Sequence, residues 1–448
     1  MSGVEARTLS SSLLDAAELP AAPKYRAYGA DHLDEIAERY GIDARRVDEI
    51  RAVAAVLPFR VNRYVLDELI DWDDVPDDPI YRLTFPQPEA LRPPDLERML
   101  ALVRAHAPRA EIAAAAHEIR MTFNPHPSGQ LELNRPAGEE ACGSRGLQHK
   151  YAPTVLFFPG AGQTCHAYCS YCFRWPQFVG EPDLKFAERD ASTLTHYLRA
   201  HPEVSDVLIT GGDPLIMKTS MLARYVEALL APALDSVRTI RIGTKAPAYW
   251  PHRLVSDRDA DALLALFERV VAAGRQLAVM IHYSHPRELS TATAQAAVRR
   301  VLSTGARIYC QAPLIRGIND APEIWSALWT AELRYGCTPY YMFVERDTGP
   351  QWLFDVPLVR AHEIFSDAYR TLPGLARTVR GPVMSATPGK VVVDGIADVG
   401  GERVFCLRFL QARRPSWVGR PFFARFDPDA TWLSDLVPAG DERSFFFQ

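Results

Sequence analysis

The segment TCHAYCSYCFRW places Cys165, Cys169 and Cys172 on one short stretch in the spacing C-x3-C-x2-C. Three thiolates on one loop can hold three irons of a cubane iron–sulfur cluster and leave the fourth iron without a protein ligand, an open coordination position where chemistry can occur. A zinc site would need a fourth ligand, such as His166 or a distant cysteine, and three merely buried thiols form the remaining reading. A four-cysteine ferredoxin run does not fit, because no fourth cysteine follows nearby. Further on, LITGGDPL sets Gly211, Gly212 and Asp213 directly after an apolar run, the composition of a tight turn at the end of a strand.

These residues need elements to position them, and the chain changes rhythm where they begin. Strand candidates are TVLFF from Thr154, DVLIT from Asp206, TIRIGT from Thr239, LAVMIHY from Leu277, ARIYCQAP from Ala306 and PYYMFV from Pro339. Helical patterns follow at about 188–200, 219–231, 258–273, 291–303, 322–335 and 357–371. Six strands alternating with helices predict a parallel α/β sheet, either a closed barrel or a partial one, with its chemistry at the C-terminal strand ends. Residues 1–145 read as mainly helical, with Asp43 to Val56 and Pro94 to Arg120 at helical spacing and a break at Pro108. The stretch NPHPSGQLELNRP from Asn124 reads as a loop into the next domain. After Gly381 the alternation fades, and the aromatic tail ending SFFFQ is expected to fold back or to pack on another subunit.

The 448 residues carry a formal charge of -5, with 48% hydrophobic and 23% charged residues. That composition describes a globular protein without the basic field that nucleic acid or anionic lipid requires. No apolar run reaches the length of a membrane span. Glu5, Asp15 and Glu18 argue against a transit peptide, so the expected location is the cytoplasm. The seven cysteines are an odd number without a secretion signal, which points to cofactor chemistry, with Cys142, Cys310, Cys337 and Cys406 read as buried thiols.

The cysteine spacing, with Tyr171 just before the third cysteine, resembles the radical S-adenosylmethionine (SAM) superfamily. The resemblance implies that the open iron binds SAM, that reductive cleavage yields a 5'-deoxyadenosyl radical, and that Gly211, Gly212, Asp213 and Gln311 lie near SAM. A closer resemblance, to the lysine 2,3-aminomutase family, runs from about Leu57 to Lys390. It is carried by LPFRVNRYVLDELIDWDDVPDDPIYR, HKYAPTVLFF, the cysteine loop, RIGTKAP, IHYSHP, APLIRGINDAPEIW and TPYYMF. This implies pyridoxal phosphate (PLP) attached to a late lysine, where it delocalises charge and spin as the amino group migrates.

Carried over by residue, Lys390 in SATPGKVVVDG is the PLP lysine, Tyr151 lies against the PLP ring, and Lys150 stands where the family usually has arginine. Thr154 stands where the family has an arginine for the phosphate. Arg174 matches the arginine that pairs with the substrate carboxylate. Lysine-specific members hold the distal ammonium with two aspartates. Here the first position matches Arg346, with Asp347 next to it, and MSATPGK offers no acid for the second. An arginine would repel an ammonium, so an acidic or neutral polar side chain fits better. His282, His285, Arg316 and Asn319 fall at strand ends without an assigned catalytic role.

The expected architecture is a partial (β/α)6 TIM-like barrel of the radical SAM type at 146–380, between a helical region at 1–145 and a C-terminal segment at 381–448. The expected reaction is a PLP-assisted 2,3-amino shift on an α-amino acid that need not be lysine, a small-molecule substrate, with a [4Fe-4S] cluster, SAM and a cellular electron donor. The apolar tail allows a homo-oligomer. The alternatives are a PLP-independent radical SAM enzyme on the same scaffold and a non-catalytic metal or cluster protein that binds a partner.

Overall fold

A computed structural model describes residues 23–130, 132–136, 144–181 and 184–448. Glu5, Asp15, Glu18 and Cys142 lie outside the described residues. A short ribbon of β1 (Ala27–Tyr28) and β2 (Val61–Asn62) precedes the main sheet. The six strands expected from periodicity form β4 (Thr154–Phe157), β5 (Asp206–Ile209), β6 (Thr239–Thr244), β7 (Gln276–Ile281), β8 (Arg307–Leu314) and β9 (Thr338–Val344). They pair in parallel and in chain order. Every residue of β7 after Gln276 is buried, as a parallel strand covered on both faces requires.

The sheet extends beyond those six strands at both ends. β3 (Leu147–Tyr151) pairs antiparallel with β4, and β10 (Arg380–Ser385) adds a seventh parallel strand beside β9. A long antiparallel hairpin of β11 (Gly389–Val399) and β12 (Glu402–Ala412), followed by β13 (Pro421–Arg425), completes an eleven-stranded mixed sheet. The alternation fades after Gly381 because these last strands follow each other through turns, without helical crossovers.

Helices occupy the stretches that the 3.6-residue spacing marks, among them Ala191–Ala200, Ala260–Ala272 and Pro322–Arg334. In the N-terminal region Asp43 caps the helix Ala44–Val56 by accepting from the Arg46 N–H at 3.0 Å. The expected break at Pro108 separates Pro93–Arg104 from Arg109–Thr122. These helices bury Val53, Met99, Ala116 and Phe123 against Trp175, three residues past the third cysteine, and so brace the cysteine loop from outside. The terminal Phe445, Phe446 and Phe447 pack on Phe409, Trp417 and Phe422 within the terminal sheet. Of the two outcomes expected for the tail, folding back is the one seen within the chain. Among the described residues no helix is long and apolar enough to cross a membrane.

Candidate functional site

The cysteine loop follows β4, and the glycine turn after β5 presses against its start. A Cβ at Gly212 would lie 2.4 Å from the Thr164 carbonyl oxygen, and one at Gly211, with φ +151°, would lie 2.3 Å from Gln163 Nε2. Only glycine allows this approach. The Asp213 N–H donates to the Thr164 carbonyl at 2.8 Å, one residue before Cys165. The Asp213 carboxylate accepts from Thr244 Oγ1 at 2.7 Å and from the backbone N–H groups of Leu215 and Lys245, at 2.9 Å each. Asp213 thereby ties the ends of β5 and β6 to the loop. Its oxygens are engaged by the protein itself.

The three cysteines are half-buried and none is in a disulfide. Burial, then Asp213 and the other two cysteines, raises the proton affinity of Cys165, and burial followed by Cys169 pushes Cys172 up to about 12. Thiols that oppose one another's ionisation in a buried loop suit a polynuclear cation that would stabilise all three thiolates. Among the described residues no group of three or more His, Cys, Asp or Glu side chains is gathered to hold a single metal ion.

Tyr171, Phe173 and Arg174, on either side of Cys172, form one wall of a cavity of about 230 Å³. Lys150, Tyr151, Gln311, Arg346 and Lys390 line the same cavity. Strands β3, β8 and β11 and the segments after β4 and β9 thus bring Lys150, Tyr151, Gln311, Lys390, Arg174 and Arg346 to one cavity, whereas the three cysteines, Gly211, Gly212, Asp213 and Asp347 do not line it. Gln311 Nε2 lies 2.9 Å from His282 Nε2, and burial, then Lys245 and Arg174, lowers the His282 proton affinity to about 3, leaving a neutral imidazole.

Lys390 is the second residue of β11. Gly389 before it is required by the hairpin, since a Cβ there would lie 2.2 Å from the Gln411 carbonyl oxygen. The Lys390 ammonium donates to Gln411 Oε1 at 2.7 Å and lies 5.8 Å from the Tyr151 ring centroid and 4.9 Å from that of Tyr341. Burial, then Arg241, Arg380 and Arg346, brings its proton affinity down to about 7. A lysine in that state supplies a neutral, nucleophilic amine, in contrast to a solvated surface lysine. Among the described residues the phenol of Tyr151 has no hydrogen-bond partner, and its ring lies as a flat platform beside that amine.

Arg174 is buried, with its guanidinium 4.2 Å from the Phe158 ring centroid and 5.2 Å from that of Phe173. Among the described residues its Nη1 has no hydrogen-bond partner. Burial, then the charge of Arg346, works against the Arg174 cation, so a carboxylate bound there would gain a charge-assisted pair. Arg346 also lies over Phe173, 4.4 Å from its centroid, and donates from Nη2 to Ser385 Oγ at 3.0 Å. Asp347 accepts from Asn124 Nδ2 at its carbonyl (2.9 Å) and does not line the cavity.

Other strand-end residues serve the framework. Asn319 accepts from the Ile315 N–H at 2.7 Å and donates to the Ser284 and Pro313 carbonyls. Arg316 pairs with Asp355 at 3.0 Å, and His285 caps the short turn Pro286–Leu289. The structure also adds residues that sequence reasoning passed over. Glu345 lines the cavity, and burial, partly offset by Arg346, raises its proton affinity to about 8. Gln411 comes from the C-terminal hairpin, and Ser128, Gln130 and Asn134 come from the loop read as a connection. For these no local motif exists; Glu345 alone was detectable, as an acid at the end of a predicted strand.

No family model matches the chain. A protein of Aquifex aeolicus (strain VF5) named "Putative L-lysine 2,3-aminomutase" is 32% identical over 408 residues, spanning 89% of this chain and 95% of that one. The L-lysine 2,3-aminomutase of Escherichia coli (strain K12) is 27% identical over 269 residues, 60% of this chain and 69% of that one. A solved radical SAM methyltransferase from Sphaerobacter thermophilus is similar with a TM-score of 0.35 and 15% identity, over 52% of this chain and 68% of that one. Because the Aquifex alignment spans nearly the whole of both chains, through the cysteine loop and the strands that wall the cavity, the chain belongs to the lysine 2,3-aminomutase family of radical SAM enzymes.

Proposed function

We propose that this enzyme catalyses a PLP-assisted 2,3-amino shift on an α-amino acid whose side chain is acidic or neutral and polar. The observation that carries the reading is the placement of Lys390, whose amine lies beside the Tyr151 ring in the cavity walled by the cysteine loop. Cys165, Cys169 and Cys172 would hold the [4Fe-4S] cluster, Gln311 would lie near SAM, and Lys390 would hold PLP. When bound, the cluster and SAM, with an electron donor, supply a hydrogen-abstracting radical, and PLP delocalises charge and spin beside the migrating nitrogen. Residues from β3 and from β12, far apart in the sheet order, share one cavity, which supports reading the sheet as a partial barrel curved around it.

The protein's own part is to bind, orient and exclude water. Arg174 on its aromatic bed offers an unpartnered N–H to the substrate carboxylate. Arg346 and Ser385 offer a cation and a hydroxyl to the far end of the side chain, where an ammonium would meet repulsion. The aromatic rings of Phe173, Tyr151 and Phe343 line the cavity among these charged groups.

Anaerobically reconstituted enzyme, incubated with SAM, PLP, dithionite and glutamate, glutamine, asparagine or lysine in turn, tests this by chromatography and mass spectrometry. Conversion of an acidic or amide amino acid to its β-isomer in preference to lysine is expected. Preferred conversion of lysine would overturn the substrate assignment, and SAM cleavage with no amino acid isomerised would overturn the reaction.

A further inference from the structure

Tyr249 closes the short helix Ala246–Tyr249, which follows β6 and lies against the cysteine loop. Its side chain is buried, and its hydroxyl lies 3.2 Å from Cys169 Sγ. Asn62, buried at the end of β2, fixes this approach. Its Nδ2 donates to two carbonyls, that of Tyr249 at 2.9 Å and that of His166, inside the loop, at 3.1 Å. The Tyr249 ring is held from its face as well, since the Lys245 ammonium lies 4.7 Å from the ring centroid and pairs with the buried Glu288 at 2.7 Å. The Lys245 N–H in turn donates to Asp213, so the turn after β6 is tied to both the glycine turn and the loop.

We infer that Tyr249 donates a hydrogen bond to the sulfur of Cys169 and thereby eases reduction of the cluster that the loop holds. Between a phenol and a free thiol either group could donate. A thiolate bound to iron carries no proton, whereas a phenol keeps its own at neutral pH, so with the cluster in place the hydroxyl is the donor. Reduction moves one electron from the reductant into the cluster and adds one negative charge, shared among iron, sulfide and the thiolates. A hydrogen bond to one of those sulfurs stabilises the more negative state more strongly, which raises the reduction potential. Tyr249 thus acts through Cys169, on the electron that must arrive before SAM can be cleaved, and not on the substrate. The inference rests on the assignment of the cluster to the three cysteines, and it is independent of PLP and of the substrate.

The test is a potentiometric titration of anaerobically reconstituted enzyme in the absence of SAM, following the signal of the reduced cluster by electron paramagnetic resonance in wild type, Tyr249→Phe and Tyr64→Phe. Phenylalanine keeps the ring under Lys245 and removes only the hydroxyl. Tyr249→Phe is expected to retain wild-type iron and sulfide and to lower the reduced-to-oxidised ratio at a fixed potential by about 3- to 10-fold, the scale of one hydrogen bond. For a one-electron couple this is a move of roughly 30 to 60 mV to more negative potential. Tyr64→Phe removes a hydroxyl that is bonded to Thr291 Oγ1 at 2.6 Å, and it should titrate like wild type. An unchanged potential in Tyr249→Phe, a move to more positive potential, or an equal move in Tyr64→Phe would overturn the inference. Loss of iron from Tyr249→Phe would overturn it too, by making the hydroxyl a support of the loop. A wild type that binds no cluster would overturn the cluster assignment and the inference with it.

Discussion

Arg346 and Ser385 meet across the ends of two adjacent parallel strands, with Nη2 donating to Oγ at 3.0 Å. The pairing of β9 with β10, which sets Phe343 opposite Val383, brings both strand ends to the same side of the cavity. Together the pair presents a cation and a hydroxyl where lysine-specific members are expected to present carboxylates. On the proposed reading, Arg346 reverses the charge at this end of the site, and Ser385 in register beside it holds its guanidinium.

Replacing Arg346 should change selectivity more than it changes folding. Arg346→Ala is expected to lower kcat/KM for the acidic substrate by about 10- to 100-fold, and Ser385→Ala by about three- to tenfold. Arg346→Asp should shift the preference toward lysine. Competition assays with mixed amino acids measure this, and a uniform loss across all substrates would contradict a role in selectivity.

For Arg174 the contacts predict a dependence on shape as well as charge. Lysine at this position keeps the cation but loses the planar fork stacked on Phe158 and Phe173, so Arg174→Lys should raise KM by about 10- to 100-fold. Iron content should stay at the wild-type level. Substrate amides, which lack the carboxylate, should be handled equally by variant and wild type. A variant that lost its cluster would show that Arg174 serves the loop instead.

Burial and the neighbouring arginines bring Lys390 down to about 7. Its folded value thus lies below that of a free lysine, and the neutral amine predominates above pH 7. The rate of capture by pyridoxal is expected to rise with pH up to about 7 and level off above about 8, where a free lysine near 10.4 would keep climbing. Quenching with borohydride at a series of pH values reads the profile. A rise of tenfold per pH unit continuing to about pH 10 would contradict a buried amine.

Gly212 tests whether the glycine turn supports the cysteine loop. Gly212→Ala would push a Cβ to within 2.4 Å of the Thr164 carbonyl oxygen, so bound iron and sulfide should fall sharply although no cysteine is altered. Gly395→Ala, with nothing within 4 Å of its Cβ, should keep a full cluster. Equal cluster content in the two variants would sever the proposed link between turn and loop.

The sequence made β4 to β9 legible because each is a short apolar run between amphipathic helices, and local periodicity records that pattern. The pairing of β10 beside β9 left no such trace, since Arg380–Ser385 has no helix after it. The cysteine loop and Lys390 could be found because their chemistry is written in a few consecutive residues. Gln411 and Asn134 could not, because a hairpin and a loop remote in sequence carry them to the site, and each alone is an ordinary polar residue. Asp347 shows the converse, an acid beside the right position whose side chain is turned to Asn124.

The central claim is that Lys390 carries PLP within reach of the cluster-bearing loop. Peptide mapping of anaerobically prepared enzyme, incubated with PLP and reduced with borohydride, tests it most directly. A pyridoxyl phosphate adduct on Lys390, absent from Lys390→Ala, is the predicted result. No adduct, in enzyme that holds its cluster and cleaves SAM, would contradict the account and leave a PLP-independent radical enzyme on this scaffold.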